Sequence, residues 1–202
     1  MDRVKSRQPQ PLPALAFHPV TPNRWGDLER LFEEHGAYGG CWCMWWRLTR
    51  AQFAQQVGQK NKAALKAIVD SGEIPGLLAY ADGEPIAWCS VAPREAYPAL
   101  ERSRTLKRVD DKPVWSVVCF FVAKPFRRKG IMVPLLTGAV EYARAHGARI
   151  VEGYPVEPKG TRLSGSDGYT GLVSAFRQAG FVEVLRRSET RAIMRHFGGE
   201  QQ

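Results

Sequence analysis

The chain has 202 residues, of which 44% are hydrophobic and 24% are charged, and its formal net charge is +9. These values are typical of a globular protein with a real core, the length favours one domain, and no apolar run approaches the roughly eighteen residues of a membrane helix. The positive charge favours an anionic partner, which includes nucleic acid, a phosphorylated cofactor or an acidic surface.

The two ends of the chain are predicted to lie outside the folded domain. Residues 1–13 form a basic leader rich in Pro and Gln, residues 14–197 form the domain, and residues 198–202 form a tail. No apolar segment follows the leader, which argues against a secretion signal. Together with the four cysteines, this predicts free thiols and a location in the reducing cytoplasm.

The first half of the domain is predicted to be mostly helical and to end in a hairpin. Its elements are a strand at 15–20, helices at 21–36, about 49–57 and about 61–71, and a hairpin around Asp82-Gly83. Thr21 and Asn61 are predicted N-caps, and Gly36 is the predicted end of the first helix. The predicted buried positions are Trp25, Leu28, Leu31, Phe32, His35, Leu65, Ile68 and Val69. Asp82-Gly83 favours a two-residue turn.

The second half alternates strands and helices. Its elements are a polar connection with a short helix, a strand at 114–122, a helix at 134–146, a strand at 148–156, a loop at 158–168, a helix at 169–181, and strands at 182–185 and 190–196. The run 114–122 is almost entirely apolar, which predicts a central strand buried on both faces. The order of elements indicates an α/β fold with a mainly antiparallel sheet.

A basic turn, "KPFRRKGIMVPLL", connects this central strand to the helix that follows. Free backbone N–H groups and the positive end of the helix dipole meet at a helix N-terminus, which makes an anion site. Arg127, Arg128 and Lys129 add positive charge, and Gly130 allows the backbone to approach an anion closely. Pro134 is tolerated in the first helical turn. The alternative is an ordinary solvated basic loop.

The motif in this turn resembles that of the GNAT superfamily, the Gcn5-related N-acetyltransferases. The family writes Arg or Gln, two residues, Gly, one residue, then Gly or Ala, and this chain has Arg127, Gly130 and Met132 at those places. "FRQAGF" at 176–181 resembles a second family segment, and the order of elements matches from about residue 14 to 197. The resemblance implies a single GNAT-like domain with about seven strands and helices on both sides, whose splayed central strands hold acyl-CoA.

The resemblance also implies a coenzyme A site. Backbone amides from Arg128 to Val133 would hold the pyrophosphate, the end of the central strand would bond the pantetheine arm, and an amide near Phe121 or Val122 would polarise the thioester carbonyl. The cofactor-binding residues implied are Phe120, Phe121, Val122, Arg127, Arg128, Lys129, Gly130, Ile131, Met132, Val133 and Phe176. The acceptor amine would then attack directly, so that catalysis depends mostly on positioning.

Two positions depart from the family pattern and leave the acid and the base open. Met132 replaces Gly or Ala, and Phe176 replaces a tyrosine that often protonates the leaving thiolate, although a phenyl ring has no proton to donate. Tyr169 and Tyr154 are the candidate donors, and Glu152 is the candidate general base. The weaker base candidates are Glu157 and Asp167. Cys119, inside an apolar strand, is expected to be a core residue.

The segment "CWCMWWR", residues 41–47, is called the CWCMWWR segment below. Its Cys-x-Cys spacing and the scattered histidines do not fit a zinc site, and no metal is expected. In the resembled family this region forms part of the acceptor wall. The candidate acceptor-binding residues are Trp42, Met44, Trp45, Trp46 and Arg47, with Arg47 able to pair with an acceptor carboxylate. The alternative is that the tryptophans pack the helices onto the sheet.

The leading hypothesis is a cytoplasmic N-acetyltransferase that moves an acetyl group from acetyl-CoA to a primary amine in a ternary complex. The acceptor is a small molecule or a peptide whose identity the sequence does not give. A basic nucleic-acid-binding module is a second hypothesis, although no such motif is present. A catalytically quiet acyl-CoA sensor is a third, motivated by Phe176. No membrane partner is expected, and a homodimer stays open.

Overall fold

A seven-stranded sheet organises the chain, and its strands follow the order β1-β2-β3-β4-β5-β7-β6. The computed structural model describes residues 14–158 and 168–198, so the predicted leader 1–13 and most of the predicted loop 158–168 and tail 198–202 lie outside the described residues. The strands are β1 (Leu15–Pro19), β2 (Gly76–Ala81), β3 (Glu84–Pro93), β4 (Trp115–Val122), β5 (Ile150–Gly153), β6 (Val182–Ser188) and β7 (Arg191–Phe197). The α-helices are α1 (Trp25–Phe32), α2 (Arg50–Gln56), α3 (Gln59–Asp70), α4 (Pro98–Glu101), α5 (Met132–Ala145) and α6 (Val173–Gln178).

All neighbouring strands pair antiparallel except β4 and β5, which are parallel. This confirms the predicted α/β fold with a mainly antiparallel sheet of about seven strands. The hairpin between β2 and β3 also has the predicted turn, because Asp82 and Gly83 both adopt positive φ, at 50° and 81°. None of the described helices has the length and apolarity needed to cross a bilayer.

Helices pack on both faces of the sheet, and each face has its own core. On one face, here called the α1 face, residues of α1, α3 and α4 pack around Trp88 and Val118. On the other, the α5 face, α5 and α6 pack around Val117 and Phe120. Leu135 of α5 is fully buried there, and burial of one such side chain contributes about 2 kcal/mol. The two aliphatic and aromatic cores therefore hold β4 between them.

Some predicted helix boundaries are wrong. The first helix ends at Phe32, four residues before Gly36, because Glu33 adopts a φ of 55° that interrupts the helix. His35, which follows this break, is exposed instead of buried. Helix α3 begins at Gln59, so Asn61 is not its N-cap but a buried residue of its first turn. Sequence periodicity identified these helices but not the chain reversal that separates them.

A β-bulge bends the central strand. Ser90 of β3 lies opposite Cys119, but its neighbour Val91 lies opposite Val117, which leaves Val118 as an extra residue. As a result Val118 and Cys119 both contribute to the core of the α1 face. Bulges bend the strand and increase its twist. The parallel pairing with β5 stops at Val117, so β4 beyond the bulge has no partner strand on that side and a crevice opens between β4 and β5.

Candidate functional site

Phe176 fills the base of the crevice between β4 and β5. Its side chain is 0% exposed, and its ring lies 6.1 Å from that of Phe120 and 4.9 Å from that of Phe181. A Cβ at Gly153, on β5, would overlap the Phe176 ring, and one at Gly171 would approach it to 2.6 Å. Glycine at both positions therefore lets the ring act as a wedge that separates the strands. Phe176 has no surface left for a cofactor, which corrects its predicted role as a direct contact.

The turn between β4 and α5 holds an exposed cluster of positive charge. Arg128 and Gly130 adopt positive φ, at 61° and 77°. Arg127 is used locally, since its Nε donates to the Val122 carbonyl at 2.8 Å and its guanidinium lies over the Phe121 ring. Arg128 and Lys129 are exposed. The turn thus places two side-chain cations beside the N-terminus of a fourteen-residue helix.

Backbone N–H groups in this turn are available to a ligand. Within the described residues, no backbone or side-chain acceptor receives the amides of residues 128–131. Val133 is different, because its amide donates to the Gly130 carbonyl at 3.3 Å, so its predicted place in the amide set is corrected. Successive free N–H groups with a glycine between them form a concave anion site. The residues present therefore fit a diphosphate such as that of coenzyme A.

Met132 is the first residue of α5, and Ile131 immediately precedes it as the N-cap. Ile131 is buried in the core of the α5 face, and Met132 packs on the same core. The Met132 sulfur would lie 3.3 Å from a Cβ placed on Gly171. The side chain that departs from the family motif thus points inward, toward the glycine next to the Phe176 wedge. It therefore packs on the core of the α5 face.

Tyr169 lies on the other side of β4, next to the bulge. It belongs to a 3₁₀ helix, Gly168–Thr170, and packs against the core that contains Cys119. Arg191 holds this helix in place by donating to Thr170 Oγ1 at 2.6 Å. Burial raises the pKa of the Tyr169 hydroxyl to about 12, so it stays protonated at neutral pH. Its hydroxyl bonds to no other described residue, which leaves it free to donate.

Glu152, the predicted general base, is an internal ion-pair partner. Its side chain is only 1% exposed. One carboxylate oxygen accepts from Arg94 at 2.9 Å and from the Tyr154 hydroxyl at 2.8 Å, and the other accepts from Arg195 at 2.7 Å. Both oxygens are therefore engaged and neither faces solvent. We correct the assignment, because this geometry makes Glu152 a structural residue, and Tyr154 is likewise buried and hydrogen-bonded to Ser116.

Comparison with known proteins identifies the family of this chain. The model of the Acetyltransferase (GNAT) family matches residues 42–158. The chain belongs to the GNAT acetyltransferase family. It is therefore an acyltransferase, and the family it belongs to uses acetyl-CoA. No curated protein matches this sequence.

Solved structures share the fold of this GNAT enzyme at low sequence identity. A GNAT-family acetyltransferase from Streptococcus agalactiae is 14% identical with a TM-score of 0.55, and the match covers 92% of this chain and 96% of the other. One from Listeria monocytogenes is 9% identical with a TM-score of 0.52, covering 91% and 94%. The PaiA N-acetyltransferase from Thermoplasma acidophilum, solved in complex with coenzyme A, is 13% identical with a TM-score of 0.50, covering 92% and 99%.

The CWCMWWR segment is mostly part of the core of this GNAT enzyme. Trp42 is buried between Trp25, stacked at 6.0 Å, and Phe32, and Met44 is also buried. Their predicted place in a pocket wall is therefore wrong, because neither has surface to offer. Trp45 is 39% exposed and packs on Phe53, so it is the tryptophan of the segment that a ligand can reach directly.

Cys43 of the segment lies beside the bulge, whereas the Cys41 thiol faces the Gly36 carbonyl at 3.8 Å. The Cys43 sulfur is 3.1 Å from that of Cys119 and accepts from Trp88 Nε1 at 2.9 Å. Burial raises the pKa of Cys43 well above its usual range and that of Cys41 to about 11. These two thiols are therefore protonated at neutral pH and are poor nucleophiles. No group of three or more metal-ligating side chains occurs within the part of the chain that the structure describes.

Sequence reasoning missed the residues that shape the site from outside the motifs. Gly153 and Gly171 accommodate the Phe176 wedge, and a glycine at the end of an apolar strand was the signal for such a close approach. The sequence around Arg94, by contrast, contains no local signal of its buried ion pair.

A separate open cavity of about 290 Å³ lies on β1 and β2 near the start of α1, lined in part by His18 and Tyr80. It is two strands from β4 and is not part of this site.

Proposed function

We propose that this GNAT enzyme transfers an acetyl group from acetyl-CoA to a primary amine of an acceptor by direct attack in a ternary complex. The observation that carries the proposal is the combination of a crevice beside β4 with an amide cradle at the end of the same strand. When bound, acetyl-CoA supplies an activated acetyl thioester. The residues of the chain contribute binding, alignment and a proton.

The cradle binds the diphosphate end of the cofactor. The amides of residues 128–131 donate to its oxygens, and Arg128 and Lys129 add long-range attraction. The unpaired edge of β4 after the bulge, which includes Phe120 and Phe121, is available for backbone hydrogen bonds to an extended arm. A β4 amide near Phe121 or Val122 is the proposed donor to the thioester carbonyl.

Acid catalysis is assigned to Tyr169, because it is a protonated hydroxyl beside the bulge, whereas Phe176 cannot donate. Its proton goes to the sulfur that leaves. Direct attack is supported by the state of Cys41 and Cys43, whose raised pKa values disfavour an acyl-cysteine intermediate. Water is the proposed carrier of the proton from the acceptor ammonium, since Glu152 is sequestered.

Thermal unfolding with and without acetyl-CoA tests the cofactor site. At a hundredfold excess over an assumed micromolar Kd, binding adds about 2.7 kcal/mol, which for a chain of this size raises Tm by roughly 5 to 10 °C. The variant Gly130→Val should lose that shift, because its side chain enters the cradle at a positive φ. Gly147→Val is the matched control, since Gly147 has a φ of 86° at the far end of α5 and no close neighbours.

The outcomes separate the hypotheses. A shift in the wild type and in Gly147→Val that is absent from Gly130→Val supports the site, and release of free thiol in the presence of an amine panel then demonstrates transfer. A shift without turnover on any amine favours an acyl-CoA sensor. Absence of any shift, together with tight and salt-dependent binding of oligonucleotides, would overturn the proposal in favour of nucleic-acid binding.

A further inference from the structure

The buried polar atoms that lack partners are concentrated around one segment of the molecule. Within residues 14–158 and 168–198 they are Trp46 Nε1, Arg47 Nε and Asn61 Oδ1. Trp46 and Arg47 are the last two residues of the CWCMWWR segment. Asn61 stabilises the turn that precedes the segment, because its Nδ2 donates to the Gly40 carbonyl at 3.2 Å. Buried polar groups are nearly always hydrogen-bonded, and each exception calls for an explanation. Two of the three atoms belong to consecutive residues of the segment, Trp46 and Arg47.

Arg47 lies near the bulge where the crevice opens. Its guanidinium carbon is 4.8 Å from the centre of the Tyr97 ring. Tyr97 is fully buried, and its hydroxyl is 3.0 Å from Ser90 Oγ. Ser90 pairs directly with Cys119 across β3 and β4. Arg47, stacked on Tyr97, which is hydrogen-bonded to Ser90, therefore lies on the α1 face, one strand from the bulge.

The charge of Arg47 is also uncompensated. The arginines that are fully buried each have carboxylate partners, namely Glu101 and Glu152 for Arg94, and Glu152 and Asp110 for Arg195. Arg47 is half-buried and pairs with no carboxylate of the described residues. A guanidinium that is stacked on an aromatic ring keeps its planar set of donors free for an anion.

We propose that the acceptor is an amine that also carries a carboxylate, and that Arg47 binds this carboxylate and so positions the amine. The proposal rests on the acetyltransferase function above and narrows its substrate class. A guanidinium pairs with a carboxylate through two parallel hydrogen bonds, which fixes the orientation of the bound molecule as well as its affinity. The single positive charge of the Arg47 guanidinium also balances the single negative charge of one carboxylate. Trp45, exposed on the same segment, offers apolar surface to the remainder of the acceptor.

Matched pairs of amino acids and their amides test the proposal, because the amide replaces the carboxylate by a neutral group. Rates are compared per unprotonated amine, since the carboxylate also raises the pKa of the neighbouring amine. The probes are glycine and glycinamide, leucine and leucinamide, and phenylalanine and phenylalaninamide, each with acetyl-CoA. In the wild type, kcat/KM should favour the acid of at least one pair by about tenfold or more, since a hydrogen bond to a charged group is worth that much. In Arg47→Gln that preference should disappear through a higher KM for the acid. Arg47→Lys should retain part of it.

Arg50→Gln is the matched control, because Arg50 is exposed at the start of α2 and its replacement should leave the ratio of acid to amide unchanged. Folding of each variant is checked by its thermal shift with acetyl-CoA. If the wild type acetylates amides as well as acids, the carboxylate proposal is overturned while acetyl transfer stands. If acetyl-CoA produces neither stabilisation nor turnover, the proposed function fails and this inference falls with it.

A second readout covers the case in which acetyl-CoA binds but no probe is acetylated. The thermal shift of the coenzyme A complex is then measured with each acid and each amide at millimolar concentration. Additional stabilisation by an acid, absent with its amide and lost in Arg47→Gln, supports the proposal. Equal behaviour of acids and amides across all three pairs overturns it.

Discussion

The proposed mechanism depends on one hydroxyl, that of Tyr169, to protonate the leaving sulfur. Phe176 stands where many family members carry a tyrosine, and its ring is fully buried in the wedge. Tyr169 approaches β4 from the α1 face instead, with its hydroxyl unpaired among the described residues. The proposed donor and Phe176 thus pack in different cores, on opposite faces of the sheet.

Tyr169→Phe should lower kcat by about tenfold to a hundredfold and leave the KM for acetyl-CoA nearly unchanged, because it removes a proton donor without removing a binding contact. Steady-state kinetics with varied acetyl-CoA measure both quantities. Tyr38→Phe, at an exposed position outside the site, is the control. An unchanged kcat in Tyr169→Phe would assign the proton donor elsewhere.

At the scale of elements, the crevice depends on a bulge in β4 and on a wedge from α6. The bulge at Val118 turns β4 away from β5, and Phe176 fills the space behind the opening. Gly153 and Gly171 make room for the ring. The shape of the crevice is thus set by packing between three elements that are distant in sequence.

Phe176→Tyr restores the hydroxyl that the family often has, but we expect no gain in activity. The ring carbon that would carry the hydroxyl is 2.7 Å from the position of a Cβ on Gly153, and the ring is fully enclosed. Overpacking and an unpaired hydroxyl should lower the free energy of unfolding by about 1–3 kcal/mol. Urea unfolding measures the loss, and Phe53→Tyr, on the partly exposed face of α2, is the control. A more active and equally stable variant would contradict the wedge.

At the scale of the whole molecule, one buried ion network ties the connection between β3 and β4 to the far side of the sheet. Arg94 reaches Glu152 on β5 and the carbonyl of Leu106, and Arg195 on β7 joins Glu152 to Asp110. The exposed part of the network adds little, because solvent screens it. The buried Glu152 is the shared anion on which two guanidinium groups depend.

Glu152→Gln should lower the free energy of unfolding by about 3 kcal/mol, because two guanidinium groups lose their common buried counter-charge. Urea unfolding measures this change, with the exposed Glu34→Gln as the control. The pH dependence of kcat/KM should keep its shape in the variant that remains folded. Loss of the acidic limb of that profile would instead restore Glu152 as the general base.

The family, the class of sheet and the candidate anion cradle could all be predicted from the sequence. Those features have local causes: Gly130 at a positive φ, a helix start with Pro134 in its first turn, and an apolar strand that ends at Val122. Each is encoded within a few neighbouring residues, where periodicity and turn chemistry act. The resemblance to the family supplied the expectation of about seven strands with splayed central strands.

The roles of Glu152, Phe176 and Trp42 depend on contacts that the fold creates between distant segments. From the sequence alone, Glu152 is an ordinary carboxylate in a strand. In the fold, Arg94 and Arg195, which are 58 and 43 residues away in sequence, bind its two oxygens. Phe176 becomes a wedge through contact with Gly153, and Trp42 becomes core through contact with Trp25. Burial and pairing depend on what the fold brings together, and a spacing pattern within one segment carries no information about those distant partners.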